Sequence, residues 1–268
     1  SVLDICKGRI MPKFSANLTM MFNEVDFLDR FESASKAGFK AVEYMFPYEW
    51  PKNQLVDALE ANGLGQVLHN LPAGDWAAGE RGIACLPGRE GEFQEGVRKA
   101  IEYAKALKCP ALNCLVGLTP QGSTAEKVHD TLTSNLKFAA AALEKEGIRL
   151  LVESLNDQDI PGFYLVRTRD TLSLLDEVHH PNLWLQYDIY HMQKMEGNLI
   201  TTIETHLARI GHIQLADNPG RHEPGTGEIN FPNLFRAIDA AGYDGWIGCE
   251  YIPAATTEEG LGWFSPYK

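Results

Sequence analysis

From residue 13 onward the chain alternates short apolar or period-two runs with longer stretches in which apolar residues return every three or four positions. Eight of the short runs read as strands, at 13–20, 39–46, 65–71, 111–117, 148–155, 183–190, 210–217 and 245–252. Between them, segments such as 26–37, 92–107 and 124–146 carry the spacing of amphipathic helices. Strand and helix in such alternation imply parallel strands joined by helical crossovers. Gly38, Gly63, Gly147 and Gly242 each fall between the end of a helical pattern and the next strand, where a left-handed helix stop is preferred.

Eight such units predict an α/β fold in which residues 11–268 close into a single-domain (β/α)8 TIM barrel, and the 268-residue length matches the roughly 250 residues such a barrel needs. The rival, an open doubly wound sheet, would want a Gly-x-Gly-x-x-Gly turn after the first strand, and none is there. Residues 1–10 precede Met11, where the opening strand segment begins, and read as an N-terminal extension or an expression remnant. The longest irregular stretch, 72–91, follows the third strand on the side where barrels build their sites; its Trp76, Glu80, Arg81 and Arg89 read as a lid over a pocket.

Composition narrows the function classes. The formal net charge of −12 argues against a polyanionic partner, so nucleic acid is excluded, and no apolar run approaches the ~20 residues of a membrane helix. Five dispersed cysteines without C-x-x-C spacing read as reduced thiols of a cytoplasmic protein.

Candidate chemistry lies at the carboxyl ends of the strands, where inward side chains of a barrel converge. Glu153 ends LLVE, Asp188 ends LQYD, Gln214 lies in GHIQLAD and Glu250 ends WIGCE. In the seventh strand Ile213 and Leu215 face one way and His212 and Gln214 the other, which assigns the polar face to the pore. Any one of these acids reads equally well as a cap or half of an ion pair; three acids and an amide at equivalent positions of four successive strands repel unless a cation joins them. Oxygen donors favour Mg2+ or Mn2+ over zinc. His191, three residues past Asp188, and His69 and Glu43 at other strand ends read as substrate-binding groups. Arg221, in the loop after the seventh strand, reads as a forked partner for a substrate carboxylate. Gly225 and Gly227 fit no phosphate loop and read as a turn, with Asn230 capping the helix that follows.

Long strings, FSANLTMMF, EYMFPY, HNLPAGDWAAGERGIACLPGRE, QYDIYHMQKMEG, HIQLADNPGRHEPGTGEINF and GWIGCEY, resemble the hydroxypyruvate isomerase family of the xylose isomerase-like barrels from about Met11 to Lys268. The resemblance implies that Glu153 and Glu250 are the catalytic pair and that Glu153, Asp188, Gln214 and Glu250 ligate a divalent metal. Many sugar epimerases of this fold have histidine where Gln214 stands, so the implied set is all oxygen, and whether it holds the ion tightly or needs it stays open. The implied reaction interconverts hydroxypyruvate and tartronate semialdehyde through a cis-enediolate, with a small hydroxy-carbonyl acid as the partner and no redox cofactor. Its alternatives are 2-oxo-tetronate isomerisation, keto-sugar 3-epimerisation with the same carboxylates, a metal-dependent phosphodiesterase or nuclease, and a non-enzymatic binding protein. A homo-oligomer is left open.

Overall fold

Each predicted strand forms, and each is shorter at its carboxyl end than the apolar pattern suggests. The computed structural model describes residues 11–268; the reading of residues 1–10 as an extension, and Cys6 with it, lies outside the described residues. The strands are β1 (Lys13–Asn17), β2 (Ala41–Glu43), β3 (Gly65–Asn70), β4 (Ala111–Cys114), β5 (Arg149–Glu153), β6 (Leu183–Asp188), β7 (Ile210–Leu215) and β8 (Trp246–Cys249). Every strand pairs in parallel with the next, and β1 pairs with β8, closing the barrel. Five of them stop on a polar residue, Asn17, Glu43, Asn70, Glu153 or Asp188.

The crossovers are α1 (Arg30–Ala37), α2 (Lys52–Ala61), α3 (Glu90–Leu107), α4 (Ala125–Glu144), α5 (Thr168–Val178), α6 (Ile189–Met195), α7 (Leu199–His206) and α8 (Phe231–Ala240). The expected helix from residue 26 starts as a 3-10 turn at Phe27–Asp29 and becomes α-helical at Arg30. Thr124 caps α4 by accepting from the Lys127 N–H at 3.2 Å, and Asn230 caps α8 in the same way from Asn233. All four predicted glycine stops have positive φ.

Two packing layers position the site. Below it, Phe14 of β1 meets Phe235, Trp263, Phe264 and Tyr267 edge-on, so the C-terminal turn Leu261–Tyr267 is packed against the first strand. Inside, the pore is polar. Ser15, Glu43, Gln186, His212 and Gln214 are all buried, whereas branched apolar residues dominate most barrel interiors. Gly248 of β8 makes the room: a Cβ there would collide with the Glu43 carboxylate. Among the described residues Cys85, Cys109, Cys114 and Cys249 are free and buried, and no helix is long and apolar enough to cross a membrane.

Candidate active site

A cavity of about 210 Å3 opens at the carboxyl ends of the strands, lined by Glu153, Glu250, His191, Arg221 and Asp159, by Asn70, Trp76 and Arg81, and by apolar side chains. Wider grooves elsewhere, such as the one beside Arg169 and His206, contain none of the converging strand-end acids. Drug-sized pockets run to about 300–1,000 Å3, so this one suits a molecule of a few carbons.

Glu153 and Glu250 enter it from strands on either side of β6 and β7. Glu153 Oε1 accepts from Asn113 Nδ2 at 2.8 Å, and its other oxygen is buried with no hydrogen-bond partner. Burial, then the Glu250 and Asp188 charges, push the Glu153 carboxyl well above its usual range. Glu250 is raised as well, by burial first, although Arg221 works against the rise; Arg221 Nη2 donates to Glu250 Oε1 at 2.9 Å. Asn17 and Gln214 donate to Glu250 Oε2 at 3.2 and 2.8 Å.

Asp188 caps α6 by accepting from the His191 N–H at 3.0 Å, which sets the imidazole beside the carboxylates. The Asn156 backbone N–H donates to His191 Nδ1 at 3.2 Å and its side-chain amide does so at 2.8 Å. A backbone N–H can only donate, so Nδ1 is the acceptor and the proton of the neutral ring sits on Nε2. Burial lowers this histidine to about 4, outweighing the pull of Asp188. The Nε2 atom is 3.9 Å from Asp188 Oδ2, too far for a hydrogen bond, so its N–H is free for a substrate oxygen.

Ligand atoms of Asp188, His191 and Glu250 lie within 4.8 Å of one another. Because His191 Nε2 carries a proton, the donors that fit a cation are the carboxylates of Glu153, Asp188 and Glu250. Ionising all three carboxylates against one Arg221 would bury about two uncompensated negative charges, which is what burial and mutual repulsion disfavour at Glu153 and Glu250, and the unpartnered Glu153 oxygen is a hard donor without a mate; a divalent oxygen-seeking ion matches both. Gln214 is turned otherwise. Its Nε2 bridges Glu43 Oε1 at 2.7 Å and Glu250 Oε2, while its oxygen accepts from Gln186 Nε2 at 2.7 Å. It reaches the ion through oxygen only if the amide flips.

The loop after β7 holds Arg221 by a carboxylate scaffold. Asp217 accepts from the N–H groups of Asn218, Gly225, Gly227 and Ile229 at 2.9 to 3.1 Å. Gly227 is required there, since a Cβ would strike the Asn218 carbonyl. Arg221 then lies over the Tyr190 ring at 5.0 Å and lines the cavity beside Glu250.

Two predicted substrate groups do not reach the cavity. Glu43 is fully buried beneath it, where Ser15, Asn17, His212 and Gln214 all bond its carboxylate. Burial pushes the Glu43 carboxyl up, and His212 with the amide donors more than offsets that, leaving it below its usual value. His69 faces outward from β3 and approaches the Ala100 carbonyl of α3 at 3.4 Å. The 72–91 loop divides likewise: Trp76 and Arg81 line the cavity, whereas Arg89 binds Glu80 and Glu92 on the rim. Sequence reading missed Asn17, Asn113, Asn156 and Gln186, each a lone amide in or just past an apolar strand, which is the signal that would have found them.

The sealed His69 gives a testable consequence. Burial lowers it to about 4 from the usual 6.5, so the unfolded chain takes up its proton first. Stability present above pH 6.5 is therefore lost as pH falls toward 4, by up to about 3 kcal/mol. In His69→Gln, urea unfolding between pH 7 and pH 4.5 should show a shallower decline than in the parent; an unchanged slope would remove His69 from the acid response.

Comparison with known proteins agrees with this architecture. Residues 31–267 match the family model described as xylose isomerase-like TIM barrel. The chain is 57% identical to the hydroxypyruvate isomerase of Escherichia coli, covering 96% of this chain and 100% of that one. It is 48% identical to the 2-oxo-tetronate isomerase of Cupriavidus necator, covering 96% and 99%. A crystal structure described as AP endonuclease, family 2 from Brucella melitensis superposes with a TM-score of 0.94 at 45% identity, covering 96% and 100%. An L-ribulose 3-epimerase structure, at 19% identity and a TM-score of 0.74, shares the fold. This isomerase chain belongs to the hydroxypyruvate isomerase family of the xylose isomerase-like TIM barrels.

Proposed function

We propose that this protein interconverts hydroxypyruvate and tartronate semialdehyde by carrying a proton between C3 and C2 through a cis-enediolate. The observation that carries the reading is the pair Glu153 and Glu250 lining one small cavity, with the His191 Nε2–H and Arg221 beside them. One carboxylate removes a C3 proton and the protonated partner delivers a proton to C2, while the hydroxyl proton passes from O3 to O2; the reverse reaction exchanges the roles of the two carboxyls. His191 donates from Nε2 to a substrate oxygen as negative charge grows there. Arg221, donating to Glu250 Oε1, favours the ionised form of that carboxyl against the burial that raises it. Apolar residues such as Leu115, Leu155 and Ile160, with Trp76 at the rim, limit water around the enediolate.

A divalent ion held by Glu153, Asp188 and Glu250, with Gln214 joining if its amide turns, would polarise both substrate oxygens and offset the enediolate charge. Mg2+ is our assignment, with Mn2+ the alternative, on the oxygen donors. The electrons stay within the substrate, so no redox cofactor enters.

A four-carbon 2-oxo-tetronate needs the same proton transfer. Nuclease chemistry fits poorly: the acidic chain and narrow cavity offer no basic track for a phosphodiester backbone. The test is a panel of hydroxypyruvate, 2-oxo-tetronates and ketohexoses with Mg2+, run in D2O. Hydroxypyruvate should be the preferred substrate, and solvent deuterium should appear at C2 of tartronate semialdehyde. Full transfer of substrate deuterium to C2 with none from solvent would replace the proton route with a hydride shift.

A further inference from the structure

We propose that Arg81, on the loop after β3, is the anchor for the substrate carboxylate and sets the preference for a 2-oxo acid over a neutral hydroxyketone of the same size. The inference rests on the reaction proposed above and names the group that recognises its anionic end. Three carboxylates, Glu153, Asp159 and Glu250, line the cavity, so an anionic substrate is repelled there unless a cation faces its carboxylate. The cavity has two cations, Arg221 and Arg81. Arg221 is already engaged, donating to Glu250 at 2.9 Å, and its charge is spent on that carboxylate.

Arg81 is differently placed. Its Nη1 donates to the Trp76 and Glu80 carbonyls at 3.1 and 2.7 Å, and among the described residues it has no ion-pair partner. The nearby acid that would neutralise it, Glu80, is taken by Arg89, which also binds Glu92. The guanidinium lies 3.9 Å over the Trp76 ring, and Trp76 is itself held edge-on to Phe46 at 5.1 Å. Both carbonyl bonds use the same nitrogen, leaving Nε and Nη2 for the parallel pair of bonds a carboxylate accepts.

The root of the residue is fixed. Gly82 N–H donates to the Ala73 carbonyl at 2.9 Å and Gly82 bridges Val116 past the end of β4. At its φ of +106° a Cβ would run into the Leu115 carbonyl, so only glycine lets the loop press this closely on the barrel. Cys85 N–H to the Val116 carbonyl and Asn135 to the Ala84 carbonyl, both at 2.9 Å, strap the following residues down. A charge held on a fixed stem, unpaired in a chain of net charge −12, is arranged for an anion that arrives from outside.

The test compares the parent, Arg81→Met and Arg81→Lys in three measurements. Turnover of hydroxypyruvate should lose about 10- to 100-fold in kcat/KM in Arg81→Met, chiefly through KM, the size expected for a lost charged hydrogen bond. Inhibition of that turnover by dihydroxyacetone, the neutral counterpart, should keep its inhibition constant within about 3-fold. Calorimetric binding of D-glycerate, which keeps the carboxylate and is not isomerised, should weaken by the same factor as KM, with Arg81→Lys between the two. Equal losses for the acid and the neutral compound would make Arg81 a structural part of the loop and overturn the anchor, as would D-glycerate binding that is absent in the parent or unchanged in Arg81→Met. A parent protein that binds D-glycerate through Arg81 but leaves hydroxypyruvate unchanged would overturn the reaction and leave the anchor standing.

Discussion

Replacing Glu153 or Glu250 with glutamine is expected to lower kcat by about 10²- to 10⁴-fold, the usual contribution of a positioned acid or base, while thermal unfolding stays close to the parent. The amide keeps the shape of the carboxyl and removes its proton chemistry. For Glu153 the local bonding survives, because the glutamine carbonyl still accepts from Asn113 at the place of Oε1. Glu250 is the harsher site: its two oxygens accept from Asn17, Gln214 and Arg221, all donors, so one of them would face the new NH2 group. Glu250→Gln should therefore cost some stability as well as turnover. Near-parental activity in either variant, with the fold intact, rules out the two-carboxylate mechanism.

The second large effect is expected at Arg221. Arg221→Met keeps much of the stem over Tyr190 and removes the cation from Glu250, which Asp188 and Glu43 already disfavour in its charged form. With side chains only 18% and 11% exposed, Arg221 and Glu250 form a mostly buried pair, and breaking such a pair costs about 3–5 kcal/mol. Because that cost falls on a base that must be ionised to act, it should appear as a fall in kcat of at least about 100-fold. The sign of the pH effect follows: activity that appears as pH rises through the carboxyl's pKa should appear at still higher pH in the variant. A change confined to KM, with kcat and the pH profile unmoved, would assign Arg221 to ground-state binding of the substrate, the role its sequence position first suggests.

The alternation of period-two and period-3.6 segments determined the eight strand–helix units, because each side chain's burial in a barrel depends on local spacing that any window of the chain displays. It also determined that Glu153, Asp188, Gln214 and Glu250 stand at strand ends, since an acid closing an otherwise apolar run has few other places to go. Which polar groups meet the substrate was decided by contacts between residues far apart in the chain. Glu43 and His69 lie at strand ends like the others, yet the bonds from Ser15, Asn17, His212 and Gln214 to the Glu43 carboxylate and the turn of His69 toward the Ala100 carbonyl keep both away from the cavity. The pairing of Arg221 with Glu250 needs β7 and β8 side by side, and the bridges from Gln214 to Glu43, 171 positions away, and from Asn17 to Glu250, 233 positions away, exist only once β1 and β8 close the ring. Tertiary structure alone decided the direction of the Gln214 amide and the proton position on His191, because a side chain's hydrogen-bonding role is set by the donors and acceptors brought against it, and neither is a property of its own stretch of sequence.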